Sequence, residues 1–340
     1  MQPFHYSRPA SLAEAIVAGA RDQSRNPNLT AAFLAGGTTL IDLMKLNVMR
    51  PGRIVDLNPS AREFSTISFD GSVLRLGAFA KMATTADHPD VISHFPVIAQ
   101  SLALAASAQL RNMATLGGNV LQRTRCAYFR DPSWTACNKR LPGSGCAAID
   151  GANRQHAVFG TSENCVATYH GDFAQALMAL DAAVTLIGPD GARSMPFASL
   201  HLLPGSTPHL ETNLREGEII TEILVPAGSW SRRSRYVKVR DRQSYEFAVA
   251  SVAVALELEG DVVNDARIAL GGLATVPWRA FDAEEHLRGR VLNEASAIQA
   301  ARAAFTGSIA LSHNAFKINV GQSAIVRALL ETAAMEVRRG

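Results

Sequence analysis

Cysteine is missing from most of this chain. The 340 residues contain four, Cys126, Cys137, Cys146 and Cys165, all inside one forty-residue window. Aromatic residues are scarce at 6% and the net charge is only +3, which together exclude a dedicated nucleic-acid binder. No apolar run approaches the roughly 20 residues that a membrane-spanning helix needs. The longest, such as FAVASVAVAL at 247–256, are strand-sized, so no membrane insertion is expected. The amino-terminal stretch MQPFHYSRPASLAEA has no basic start followed by an apolar core, so no signal peptide is expected. Cytoplasmic assembly follows as an expectation, although a folded partner could still carry the chain to the periplasm. Internal repeats and a low-complexity tail are also lacking. What remains is an ordinary globular composition, 47% hydrophobic and 19% charged. The chain is too long for one core, and two or three domains are expected.

The four cysteines contain no CxxC pair. Their spacings of 10, 8 and 18 intervening residues fit neither zinc-finger nor bacterial-ferredoxin patterns. Three readings stay open on spacing alone: inert core thiols, two disulfides in one of three connectivities, or a four-thiolate site. Disulfides suit secreted domains too small to build a core, which a chain of this length is not. Clustering favours one shared ligand, with the metal undetermined. Between Arg111 and His170 stand seven basic residues (Arg111, Arg123, Arg125, Arg130, Lys139, Arg140, Arg154) and three acids (Asp131, Asp150, Glu163), so the segment is +4 (7 less 3). An oxidised [4Fe–4S] core on four thiolates is a dianion, which those arginines would offset while lowering the thiol pKa values. A solvated basic loop is the plainer alternative.

Residues 12–20 read as a short helix. Ala31–Leu34 is a short apolar strand, Gly36-Gly37-Thr38-Thr39 a loop, Leu40–Val48 an amphipathic helix and Arg53–Leu57 the next strand. Strand, glycine loop and helix place backbone N–H groups where a phosphate can bind, and glycine lets the backbone approach closely. Ordinary tight turns also use paired glycines. Val73–Phe79 alternates as a strand, Pro96–Met113 reads as one alanine-rich helix, and Thr115–Asn119 as a second glycine turn. The cysteine segment has no periodicity and reads as a long irregular excursion ordered by a ligand. Helix and strand resume at 173–188, and Gly217–Val225 is a strand. The boundary PAGSWSRRSR (226–235) precedes strands at 236–240, 247–258 and 266–272 and helices at 292–305 and 323–339.

Five motifs occur in order: LAGGTTLIDLMK (34–45), ATLGGN (114–119), GDFAQALMALDA (171–182), YVKVRDRQSYEFAVASV (236–252) and IALGGLATVPWRA (268–280). On these the chain resembles the FAD-binding medium subunit of the molybdenum hydroxylases, the xanthine dehydrogenase and carbon monoxide dehydrogenase group, over nearly its whole length. The resemblance implies an α+β fold. A two-lobed FAD-binding domain of the vanillyl-alcohol-oxidase (PCMH) type would span 1–226, with lobes at about 1–58 and 59–226. A smaller α+β domain like the carbon monoxide dehydrogenase flavoprotein C-terminus would follow at 227–340. Most members have only a short stretch between GGN and the Asp motif; here an insertion at about 120–170 carries all four cysteines. It is similar to insertions in the FAD subunit of bacterial periplasmic aldehyde oxidoreductase and in the flavoprotein subunit of 4-hydroxybenzoyl-CoA reductase, which bind a [4Fe–4S] cluster. The wording around the cysteines is nearer the former.

The resemblance further implies cofactor contacts. Leu34, Ala35, Gly36, Gly37, Thr38, Thr39 and Leu40 would form the first pyrophosphate loop, and Ala106, Thr115, Gly118 and Asn119 a second strip beside it. Asp172 would hold the adenosine ribose. Gly171 replaces the family's usual Ser and removes one hydroxyl contact. Leu203 would pack on the isoalloxazine, and Lys238 would stand near the flavin, where positive charge stabilises its reduced anion. Cys126, Cys137, Cys146 and Cys165 would ligate the cluster. No catalytic residue is expected, because substrate chemistry would occur on a large molybdenum-cofactor subunit. Electrons would arrive through two [2Fe–2S] clusters on a small subunit and leave to an external acceptor. His170 reads as a loop histidine near the cofactor. A dehydroxylating benzoyl-CoA-type reductase and a non-enzymatic zinc-stabilised binding module remain the other readings. The aldehyde, the acceptor, the final compartment and the choice between one heterotrimer and a dimer of trimers belong to the partner subunits.

Overall fold

The computed structural model describes residues 1–20 and 31–337. The chain opens with β1 (His5–Ser7), α1 (Leu12–Gly19), β2 (Ala31–Leu34), α2 (Leu40–Lys45) and β3 (Arg53–Asp56). β3 lies between β1 and β2 and runs parallel to both. Parallel neighbours need a crossover, and α2 is the crossover from β2 to β3. Leu43 and Met44 are its buried face, while Ile41 and Leu46 reach the surface.

The second lobe begins with β4 (Ile67–Phe69) and β5 (Val73–Gly77), followed by short helices: α3 (Met82–Ala86), α4 (Pro89–His94), α5 (Pro96–Ala103), α6 (Ala108–Met113), α7 (Leu116–Val120) and α8 (Ala127–Arg130). The single helix expected over 96–113 is therefore two. Ala106 turns into the left-handed region at φ 48°, and the Ser107 hydroxyl accepts the Leu110 amide at 3.3 Å to start a new helix. The glycine turn expected at 115–119 is also helical: the Thr115 hydroxyl accepts the Gly118 amide at 3.2 Å and caps α7. From Asp131 to Asp172 there is no helix or strand beyond isolated bridges. Then come α9 (Phe173–Ala179), β6 (Ala183–Gly188), β7 (Gly191–Pro196) and β8 (Ile219–Pro226), completing an antiparallel sheet of order β4-β5-β8-β6-β7.

The carboxy-terminal part is an antiparallel sheet, order β12-β11-β10-β9, with β9 (Ser234–Val239), β10 (Ala250–Glu259), β11 (Val262–Gly271) and β12 (Trp278–Arg279). Helices α10 (Phe281–Leu287), α11 (Glu294–Ala304) and α12 (Phe316–Ala333) follow. α12 begins seven residues before the expected Ser323 and ends at Ala333; residues 338–340 lie outside the described part. Lys317 and Gly321 interrupt its apolar pattern in sequence, yet both are buried: Gly321 leaves room for the Phe305 ring, and Lys317 donates to the Gln155 and His156 carbonyls.

β10 explains the unbroken apolar run at 252–256. Val252, Val254 and Leu256 join the core under the carboxy-terminal helices, while Ala253 and Ala255 on the other face join the larger core that the two lobes share. A strand buried on both faces has no polar side, and alanines on one face let α9 come close. A third, smaller core gathers Leu43 of α2 with Tyr128, Phe129 and all four cysteines.

Candidate cofactor cleft and cysteine core

The first glycine loop is shaped by contact with the second strip. A Cβ on Gly36 would stand 2.3 Å from the Met113 carbonyl oxygen and 2.9 Å from Ala114 Cα, so only glycine lets the two segments touch. Gly37 takes φ 74°, a conformation that side chains disfavour. The turn leaves the backbone N–H groups of Gly37, Thr38, Thr39 and Leu40 with no acceptor among the described residues. Consecutive free donors at a helix start are a site for an anion. The second strip differs: the amides of Gly117 and Gly118 are taken by Ala78 and Thr115, so its glycines serve packing.

Two cavities of about 530 and 580 Å³ open on either side of this loop, and Thr38, Thr39 and Gly118 line both. The larger is apolar, walled by Phe33, Leu57, Phe79 and Ile220, and takes in Ala35, Gly36, Gly37, Leu40 and Thr115. The smaller is the more polar of the two, with Asn119, Arg125, His170 and Asp172 beside Tyr245 and Phe247, and takes in Ala106. Asn119 Oδ1 is buried there without a partner. Anion donors in the middle and a ring-sized space at each end are the layout a dinucleotide needs. Leu34 lies behind the loop, its side chain against the space above Gly37.

Asp172 and Lys238, expected at the ribose and near the flavin, are paired with each other. Lys238 Nζ donates to Asp172 Oδ2 at 2.8 Å and to the Leu104 carbonyl, freed where α5 ends, at 3.1 Å. Tyr236 Oη donates to Asp172 Oδ1 at 2.6 Å. Lys238 is no surface lysine: its side chain is 1% exposed. Burial pushes the Asp172 pKa up, and Lys238 and Tyr236 only partly offset it. Tyr236 was not anticipated, although it sits two residues from Lys238 on the same strand face. At Gly171, where the resemblance implies a serine, a side chain has no room: the Tyr169 ring would lie 2.5 Å from a Cβ. Leu203 is 53% exposed and lines neither cavity of the cleft; it rests against Gly160. His170 is buried, and its Nδ1 donates to the Thr168 carbonyl at 2.9 Å. Burial lowers its pKa to about 3.

The cysteine segment is held by side chains that grip backbone rather than by periodic apolar residues. Arg140 alone donates to the carbonyls of Tyr128, Phe129, Asp131 and Trp134. The four thiols are free and share one core, in which Cys137 and Cys146 face each other across a bridge. The basic surround does not act as the composition suggested. Arg125 and Arg130 bind Asp42, Arg123 and Lys139 bind Glu211, and Arg154 binds Asp241. Acids distant in sequence, invisible in a local charge count, neutralise them. Burial raises the Cys126 pKa to about 11. Cys146 falls to about 6 through a hydrogen bond from Cys165, whose own pKa rises in return. No three His, Cys, Asp or Glu side chains among the described residues converge on a single metal-ion position.

The paired lobes, free loop amides and two-ended cleft define a dinucleotide-binding protein. Residues 2–228 match the family described as FAD binding domain in molybdopterin dehydrogenase, and residues 235–332 match the CO dehydrogenase flavoprotein C-terminal domain. The chain belongs to this family of FAD-binding subunits. It is 40% identical to the aldehyde oxidoreductase FAD-binding subunit PaoB of Escherichia coli, covering 98% of this chain and 99% of that one. It is 27% identical to the carbon monoxide dehydrogenase medium chain of Hydrogenophaga pseudoflava, covering 91% and 86%. Among solved structures, carbon monoxide dehydrogenase from Hydrogenophaga pseudoflava matches with a TM-score of 0.73 at 26% identity, over 98% of this chain and 97% of that one. Quinoline 2-oxidoreductase from Pseudomonas putida 86 shares the fold, with a TM-score of 0.73 at 23% identity over 98% and 97%. No helix among the described residues is long and apolar enough to cross a membrane.

Proposed function

We propose that this chain is the electron-transfer subunit of a molybdenum-dependent aldehyde oxidoreductase, carrying FAD in the cleft and a [4Fe–4S] cluster in the cysteine core. The observation that carries the reading is the end-to-end match, at 40% identity, to an aldehyde oxidoreductase FAD-binding subunit. The amides of Gly37–Leu40 would hold the pyrophosphate, with one ring system in each flanking cavity. Bound FAD supplies the chemistry of taking up electron pairs and releasing single electrons. The chain's own residues bind and orient it. Gly36 lets the loop close on Met113 and Ala114 of the second strip, and Lys238 would hold Asp172 in place behind the polar end.

Two features support the cluster. Four thiols, none of them in a disulfide, lie in one core. That core packs on α2 through Leu43, directly behind the FAD loop. Membership in the flavoprotein family leaves no support for a zinc-stabilised binding module. A large molybdenum-cofactor subunit and a small [2Fe–2S] subunit complete the complex, and an external acceptor takes the electrons. The test is anaerobic addition of aldehydes to the purified complex. Bleaching of flavin and iron–sulfur absorption by an aldehyde is expected. A complex whose flavin stays oxidised with every aldehyde, or an isolated subunit without iron, would refute the corresponding part.

A further inference from the structure

His156 lies in the cysteine segment, is buried, and lines neither cavity of the cleft. Its Nε2 stands 3.2 Å from Cys126 Sγ. Its Nδ1 is buried and has no partner. A proton on Nδ1 would be a buried donor with nothing to donate to, whereas an unused lone pair there costs less. The proton therefore belongs on Nε2, aimed at the sulfur. The backbone is clamped from the far end of the chain: the His156 carbonyl accepts from Asn314 Nδ2 at 3.2 Å and from Lys317 Nζ at 3.0 Å. Lys317 Nζ also reaches the Gln155 carbonyl at 3.2 Å. Lys317 is 1% exposed and has no carboxylate partner among the described residues, so its hydrogen bonds go to this one stretch of backbone. The amide of His156 donates to the Asn153 carbonyl at 2.9 Å, closing the turn.

We propose that His156 is a positioning residue for the cysteine centre, its Nε2–H donating to the Cys126 sulfur and tuning the reduction potential of the bound cluster. The inference rests on the [4Fe–4S] reading above. A hydrogen bond to a ligating sulfur draws off part of the thiolate charge. The reduced cluster carries one more negative charge than the oxidised one, so the donor favours reduction and raises the midpoint. Lys317 and Asn314 hold the ring in place from the carboxy-terminal domain.

The test is a redox titration of the intact complex followed by electron paramagnetic resonance, with iron and flavin content measured, for wild type, His156→Leu and His156→Gln. Glutamine can place an amide N–H near the position of Nε2. The expected result is a more negative cluster midpoint in His156→Leu, a midpoint close to wild type in His156→Gln, and unchanged flavin content in both. If His156→Leu loses its iron while His156→Gln keeps it, donation to the sulfur is still what the site requires. Wild-type midpoints in His156→Leu, or equal shifts or equal iron loss in both variants, would overturn the proposal. A wild-type complex without a four-iron signal is a separate failure: it sinks the cluster reading, and this inference with it.

Discussion

Asp42 accepts hydrogen bonds from Arg130 through both carboxylate oxygens, at 2.8 and 3.1 Å, and from Arg125 at 3.0 Å. Asp42 belongs to α2, the helix that begins at the first glycine loop, and both arginines belong to the cysteine segment. One carboxylate thus ties the two proposed centres together. Asp42→Asn should leave two partly buried arginines without their anion. The pair is partly solvated, so a loss of about 1–2 kcal/mol is expected. Flavin and iron content should fall together, as checked by cofactor analysis and thermal melting. Burial pushes the Asp42 pKa up, but the two arginines more than offset it, and the carboxyl titrates below its ordinary range. Its stabilising contribution is complete above about pH 4 and disappears as pH falls through the lower folded value.

Gly37→Ala should reduce flavin content more than it reduces stability. The left-handed backbone at Gly37 costs alanine about 1 kcal/mol, and its Cβ would meet Ile41 Cδ1 at 2.9 Å. Relief of that contact would turn the free amides away from the cleft. Flavin-to-protein absorbance ratios after gel filtration check this. Full occupancy in the variant would mean that the loop does not hold the pyrophosphate.

Lys238→Met should cost about 3 kcal/mol, because Asp172 would remain buried without its cation. Adding Asp172→Asn should recover most of that loss, since the stranded charge is then gone. Denaturant melts of the two single variants and the double variant measure the coupling. Additive losses would show that the pair makes no direct contribution.

Stability should decline between about pH 6.5 and pH 3. The buried His170 stays neutral in the folded protein, with its pKa lowered to about 3, whereas the unfolded chain binds a proton near pH 6.5. The unfolded state then holds more protons, so stability falls as pH falls through this window. His170→Gln should flatten the fall in melting temperature over the same range. An unchanged pH profile in the variant would assign the fall to other groups.

Cys137→Ser should lower iron content by about one cluster per chain while leaving flavin in place, because the thiol belongs to the third core and lines neither cavity of the cleft. Metal-coupled folding predicts faster proteolysis in 120–170 and unchanged protection around the glycine loops. Iron analysis with limited proteolysis reads both.

Several elements followed from local chemistry. The strand, glycine loop and helix at 31–45 announce themselves because apolar period, glycine and helix start agree within fifteen residues. The strand at 250–259 is equally clear. The helix break at Ala106 was hidden, because alanine is the best helix former and nothing local forbids a helix through it. The turn at Gly117-Gly118 became a helix because Thr115 caps it and Ala78 and Ala80 accept its first amides.

By itself, the sequence determined the family, through five ordered motifs, and placed every cysteine in one segment, since both are properties of the linear chain. Partnerships were decided only in three dimensions. Asp42 meets Arg130 across 88 positions, Lys238 meets Asp172 across 66, and Asn314 meets His156 across 158. Local periodicity carries no information about such pairs. Each is fixed by the requirement that a buried or half-buried polar group find a partner wherever packing places one. The local excess of seven basic residues over three acids therefore told less than it promised, because folding delivered the balancing acids from elsewhere.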